Sequence, residues 1–283
     1  MCAIKNLTPQ EFRKMQLLQL DMLVELDKVC QKHNIKYVIF AGTLLGAVRH
    51  KGYIPWDDDA DIAMLREDYE KFKKVANELN PNLCYFQDNT TDPYYRWGYG
   101  KLRRTGTTYV RVGQEHLKCK TGVFIDIFPM DDCPKSVIGQ MLQDFYCFCL
   151  RKILWSEVAK MDRTLPWYKI LWFKMISNIS HNWVFNVVSK MTSKSKNSSP
   201  NRVRNLLFPA IGKLYVRNSL KTRYGMPKKW FLDTAVYSFE GHNLQGTKDY
   251  NDILTYIYGD WNKLPPVEKR VVHAPVSSYD LGK

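Results

Sequence analysis

The sequence predicts an α/β fold of the α+β kind, a small mixed sheet flanked by helices with a helical insertion. Three observations predict it. Helix-period and strand-period segments alternate through the first half of the chain. The strand candidates are short, rich in aromatic and β-branched residues, and punctuated by glycine. From Pro134 the pattern turns helical and dense in tryptophan and phenylalanine.

Taken in order, Thr8-Pro9-Gln10-Glu11 is a capping box with proline at the first helical position, and Phe12, Met15, Leu18, Met22, Leu26 and Val29 follow at helical spacing. This first helix is expected to end near His33-Asn34. Tyr37 to Phe40 reads as a buried strand stopped by Gly42, Thr43 to His50 as one or two helical turns, and Ala60 to Leu65 as a second strand. Arg66 to Leu79 is an amphipathic helix closed by Asn80-Pro81. Strands are expected over Cys84 to Gln87, Tyr95 to Arg103 and Gly122 to Phe128, with Pro129 closing the last. Helices fill Pro134 to Val188, and the Lys-, Ser- and Asn-rich tract Ser189 to Asn205 reads as an exposed loop. A helix to about Tyr224, a hairpin across Val236 to Leu244, a helix over Tyr250 to Tyr258 and a Pro265-Pro266 turn complete the chain. The divisions expected are a catalytic core over 1–133, a helical insertion over 134–205, and a C-terminal part over 206–283 that completes the same unit.

The 283 residues are 45% hydrophobic and 25% charged, the balance of a globular protein and not of a disordered or collagenous one. The most apolar stretch, Phe145 to Val188, is broken by Arg151, Lys152, Lys160, Arg163, Lys169 and Lys174, short of the roughly 20 uncharged residues of a membrane span. A helix pattern within ten residues of Met1 leaves no room for a signal segment, so a cytoplasmic protein is expected, with the inner face of the membrane as a further location. The seven cysteines show no CxxC pair and are expected to be reduced, structural thiols. A formal charge of +14 points to anionic partners: nucleotides, phosphorylated glycans, nucleic acid or anionic lipid.

The chemistry concentrates at Asp57, Asp58, Asp59 and Asp61, four carboxylates between apolar segments. Packing like charge there is costly unless a cation neutralises it. Residues two apart on a strand share a face, so Asp59 and Asp61 project together while Ala60 and Ile62 face the core, and Asp57 is a candidate for the same face. Hard oxygen ligands of this kind suit Mg²⁺, with Mn²⁺ as the alternative, completed by substrate phosphate. Asp126 stands alone among Val123, Phe124, Ile125, Ile127 and Phe128. It is either a buried structural aspartate or, the reading favoured here, a carboxylate beside the metal that takes a proton from an attacking alcohol or holds a second ion. The loop Ala41-Gly42-Thr43-Leu44-Leu45-Gly46 ends a strand and opens a helical turn, where backbone N–H groups at Gly42, Thr43 and Leu44 and the threonine hydroxyl can hold phosphate.

Ala41 to Met64, AGTLLGAVRHKGYIPWDDDADIAM, resembles the signature of the LicD family of phosphotransferases, which includes choline-phosphate transferases and the fukutin-related ribitol-phosphate transferases. The resemblance extends to Lys32-His33-Asn34-Ile35-Lys36-Tyr37, to Gly122 to Pro129, to Tyr258-Gly259-Asp260 and to Leu264-Pro265-Pro266, and is weakest between about Pro134 and Asn205. It implies a nucleotidyltransferase-like fold and transfer of a phospho-alcohol, phosphocholine first among them, from a cytidine diphosphate (CDP) alcohol to a sugar hydroxyl of a cell-surface glycan, of lipopolysaccharide, capsule or teichoic acid type. The acceptor would be a free or lipid-linked glycan, and no nucleic acid partner is expected. Family metal carboxylates carry over onto Asp59, Asp61 and Asp126, with Asp57 contributing. The gap from Gly42 to Asp59 is longer than the wider superfamily's, though usual for this family.

Arg49, His50 and Lys51 lie between the glycine loop and the carboxylates, and an arginine fork at Arg49 suits phosphate oxygens. His50 is a secondary candidate for a general base. Lys101, with Arg103 and Arg104, is a second candidate for donor phosphates, against the ordinary role of a charged edge strand. Lys269, Arg270 and His273 are placed to close over the site or to form a solvated tail. Trp155, Trp167, Trp172, Phe173 and Trp183 read first as core, and second as a face toward an anionic membrane. Two rival functions stay open: a metal-dependent glycosyltransferase using a sugar nucleotide, and a non-catalytic basic module that binds an anionic polymer.

Overall fold

The first helix, α1 (Pro9–Lys32), starts where its capping box dictates: the Thr8 hydroxyl accepts from the Glu11 N–H at 3.3 Å, and the Thr8 N–H donates to the Glu11 carboxylate at 2.8 Å. Its buried stripe, Met15, Met22, Leu23, Leu26 and Val29, lies against the central sheet. The computed structural model describes residues 5–195, 201–208, 224–272 and 275–282.

The strands are β1 (Val38–Ile39), β2 (Asp61–Leu65), β3 (Cys84–Gln87), β4 (Gly100–Arg104), β5 (Thr108–Arg111), β6 (Phe124–Asp132), β7 (Arg202–Arg204), β8 (Met226–Pro227), β9 (Thr234–Phe239), β10 (His242–Thr247) and β11 (Val276–Asp280). Nine of them form one mixed sheet in the order β3-β4-β6-β2-β1-β10-β9, with β7 paired to the end of β6 and β8 to β7; β5 and β11 pair separately. β2 and β6 run parallel at the centre, and their apolar residues are buried on both faces, as in any strand covered by helices on either side. The helices α2 (Ala41–His50), which joins β1 to β2, and α3 (Arg66–Val75) lie beside β2. The expected hairpin is β9–β10, turned by Glu240 and Gly241 at φ 52° and 80°, left-handed values that a two-residue hairpin turn requires and that Gly241 meets without strain.

The remaining helices are α4 (Val137–Ala159), α5 (Trp167–Ile176), α6 (His181–Ser195), α7 (Lys229–Leu232) and α8 (Tyr250–Tyr258). Helices α4 and α6 enclose a second apolar cluster of Cys147, Leu150, Leu154, Val184 and Val188 with Leu206 and Leu207. Arg204 of β7 reaches Asp144 of α4 at 2.7 Å and ties this cluster to the main sheet.

The structure changes several expectations. Pro129 does not close β6; the strand continues to Asp132, because the last β4 pairing is at Ile127 and Pro129 lies beyond the neighbour that would need its missing N–H. Tyr95 to Tyr99 is irregular backbone ending in a bend, and not a strand, its aromatic content serving ring packing: Tyr95 donates to the Tyr99 carbonyl at 2.8 Å, and Tyr99 packs on Phe128 with the rings tilted at 41°. The Ser189 to Asn205 tract is helical as far as Ser195 and a strand at Arg202–Arg204. The helix expected to end at about Tyr224 lies outside the described residues, as do His273 and Cys2. The six described cysteines are free thiols, five of them buried.

Candidate metal and phosphate site

Parallel pairing of β2 with β6 sets Asp61 directly beside Asp126, with the Asp126 N–H donating to the Ala60 carbonyl at 2.8 Å. Asp59, Asp61 and Asp126 each offer an oxygen, and the three oxygens lie within 4.8 Å of one another. Asp59 also belongs to a second such group with Asp57 and Asp58. The loop that carries these carboxylates is held from behind by two buried amides of α1. Gln16 donates to the carbonyls of Ile54 and Asp57 at 3.3 and 3.1 Å, and Gln19 to that of Asp58 at 2.9 Å. Ala60 and Ile62 face the core as the alternation requires.

Burial, then repulsion from Asp58, raises the carboxyl of Asp59 above the usual range; burial, then repulsion from Asp59 and Asp126, raises that of Asp61 further. Two cations answer part of this charge. Lys101 of β4, opposite Asp126 in the antiparallel β4–β6 register, forms a buried ion pair with it. Desolvation lowers its ammonium to about 8. Arg111 of β5 stands 3.4 Å from both Asp58 and Asp59. Lys101, Arg103 and Arg111 all lie over the ring of Phe124, at 3.5, 5.0 and 5.0 Å from its centre, so one aromatic ring serves three cations. Arg103 is otherwise spent on Gln87 and the Gly122 carbonyl.

The other residues named from sequence are placed as follows. Gly42 lies in the first turn of α2, and a Cβ there would overlap Asp57 Oδ2, so the bare backbone admits the Asp57 carboxylate at the helix N-terminus. The Thr43 hydroxyl accepts from the Asp61 N–H at 2.7 Å. Both residues therefore position carboxylates in this structure. The Leu44 side chain is fully buried in the core, and the N–H groups of Thr43 and Leu44 both donate to the Phe40 carbonyl, at 3.0 and 3.2 Å. Arg49, at the far end of α2, donates to the Trp261 carbonyl at 3.0 Å. His50 packs edge-on to Trp56 and is held below its usual pKa, first by burial and then by Arg49. Lys101 is no edge-strand cation, which removes the alternative to a phosphate contact: β4 is an inner strand between β3 and β6. Arg270 lies over Trp56 at 5.4 Å.

Residues 34–152 match the family model described as LicD/FKTN/FKRP, nucleotidyltransferase domain. The lipopolysaccharide cholinephosphotransferase LicD of Haemophilus influenzae is 27% identical over 288 residues, covering 98% of this chain and all of that protein. The chain is thus similar to the LicD family over 34–152, and to one LicD protein along its whole length. Shorter stretches are similar to two uncharacterized proteins of Rickettsia. One, of R. typhi, is 43% identical over 76 residues (27% of this chain, 24% of that protein); the other, of R. prowazekii, is 49% identical over 58 residues (20% and 22%).

The donor set fits a divalent cation with a preference for oxygen: three carboxylates converge, and two of them are raised by burial and then by a repulsion that such an ion would relieve. Beside them opens a cavity of about 560 Å³, walled by Trp97, Tyr99, Arg111, Arg151, Trp155 and Phe208, among others. Arg111 belongs to both the cavity and the carboxylate site. Tyr99 joins them too, its hydroxyl raised first by burial and then by Asp126. On the other side, burial and then Asp61 raise the hydroxyl of Tyr258, which also senses Arg49. Arg111 and Tyr99 gave no signal in the sequence, because nothing in their spacing marks them; Tyr258 lies in a segment that carried the family resemblance.

Proposed function

We propose that this protein transfers a phospho-alcohol, phosphocholine in the first instance, from a CDP-alcohol to a sugar hydroxyl of a cell-surface glycan of the lipopolysaccharide type. The observation that carries the reading is the convergence of Asp59, Asp61 and Asp126 in a chain similar along its whole length to a lipopolysaccharide cholinephosphotransferase. The three carboxylates would hold Mg²⁺, which when bound supplies positive charge to the phosphate oxygens. Arg111, between the carboxylates and the cavity, presents a planar fork to the donor diphosphate, and the aromatic walls suit the cytosine ring. The acceptor hydroxyl attacks the phosphorus nearer the alcohol; the new O–P bond forms as the bond to cytidine monophosphate breaks, and that product leaves with the electron pair. Asp126, paired with Lys101, accepts the hydroxyl proton.

A panel of CDP-choline, CDP-ribitol, CDP-glycerol and UDP-glucose, each with and without Mg²⁺, tests the reading by thermal shift. A CDP-alcohol at a hundred times its Kd should stabilise by about 2.7 kcal/mol, and only with Mg²⁺ present. Stabilisation by UDP-glucose and by no CDP-alcohol would establish the glycosyltransferase alternative instead. Asp126→Asn separates roles: single-turnover release of cytidine monophosphate should slow by about two orders of magnitude, with a modest loss of donor affinity. Unchanged single-turnover kinetics would remove Asp126 from the site.

A further inference from the structure

Helix α5 buries only Phe173 of its ten residues. Trp167 (77% exposed), Tyr168, Leu171, Trp172 and Met175 (65%) face solvent. The first half of α4 adds Ile138 (72%), Met141, Leu142 and Phe145 at helical spacing, a stripe that runs on to Phe148 at the rim of the 560 Å³ cavity. Among the described residues no helix is long and apolar enough to cross a membrane.

Charge tells what covers this face. The 70 residues 163–232 contain fourteen Lys or Arg and no Asp or Glu, so the whole +14 formal charge resides there and the rest of the chain is neutral. Lys169 and Lys174 stand exposed among the α5 aromatics, and Lys152 lies over Phe148 at 5.3 Å. The neighbouring acids are engaged: Asp144 pairs with Arg204, Glu157 with Lys160 and Arg96, and Asp162 accepts from Thr164. A protein partner's interface is depleted of lysine. Tryptophan, tyrosine and lysine interleaved on one apolar face instead suit the headgroup layer of an anionic bilayer.

We propose that the α4–α5 face seats the protein on an anionic membrane surface, lying on the bilayer with the cavity rim at the headgroups. This holds whichever alcohol is transferred, because the readout below is lipid binding and not turnover.

The full chain is sedimented with phosphatidylcholine vesicles, with or without about one third phosphatidylglycerol. Binding to the anionic vesicles should be at least tenfold tighter, weaken with salt, and shift tryptophan emission to the blue. The triple variant Trp167→Ser, Leu171→Ser, Met175→Ser should lose roughly tenfold or more of that binding with its melting temperature retained. Lys169→Glu with Lys174→Glu should abolish the preference for anionic lipid while also folding normally. Equal binding to both vesicle types, or full binding by the triple variant, would overturn the proposal. So would a lipid-independent dimer whose hydrogen exchange is slowed along α5.

Discussion

Asp61 is the residue whose chemistry is most exposed to test, because its surroundings raise its carboxyl by burial and by three neighbouring carboxylates. Replacement by Asn keeps the shape and removes the repulsion. In metal-free protein at neutral pH, Asp61→Asn should therefore raise the melting temperature, by about 2–4 °C for each kcal/mol relieved. The same variant should lose the stabilisation by Mg²⁺ and should turn over at least about a hundredfold more slowly, since one of three carboxylates is gone. A variant that melts lower without metal, yet gains normally from Mg²⁺, would show that Asp61 is no ligand. Lys101 and Arg111 explain why the repulsion is tolerated at all: Lys101 stands against Asp126 across the sheet, and Arg111 reaches Asp59 from the separate β5–β11 pair.

Among the elements, α2 makes the sharpest prediction because two effects oppose each other at its start. Glycine near a helix terminus normally tolerates alanine, and in a helix interior alanine is favoured by about 0.5–1 kcal/mol. At Gly42 a Cβ would collide with Asp57. Gly42→Ala should thus destabilise and reduce activity, whereas in an Asp57→Ala background the same change should become neutral or stabilising. Additive effects in that double-mutant cycle, measured by urea denaturation, would refute the contact. The first helix was legible from its capping box and apolar spacing, and so were α3, β2, β3, the β9–β10 hairpin and α8, because each carries its signal within a few residues. The end of β6 was not legible. Proline stops a strand only where its missing N–H would be needed, and that depends on which neighbour lies alongside.

For the molecule as a whole, the raised carboxyls of Asp59 and Asp61 link stability to pH and to metal. A folded-state pKa above the unfolded value means the native protein binds more protons, so these groups' contribution is full below the usual aspartate pKa near 3.8 and is lost as pH rises through their raised values. Mg²⁺ competes for the same oxygens, so the difference in melting temperature between Mg²⁺ and EDTA should widen from about pH 5 to pH 8. A difference that stays constant with pH would mean the ion binds elsewhere. By itself the sequence determined the kind of chemistry: an aspartate cluster in an apolar strand, a lone Asp126 in another, and a glycine-threonine turn ahead of them, all readable because strand alternation and burial cost act locally. Only the tertiary structure decided the partners. The register of β4 on β6 sets Lys101 against Asp126, the path of β5 brings Arg111 to Asp58 and Asp59, and the close approach of α2 puts Asp57 where a side chain at Gly42 would be. These are contacts between residues 15 to 53 positions apart, fixed by how sheet and helix pack, and no local periodicity encodes them.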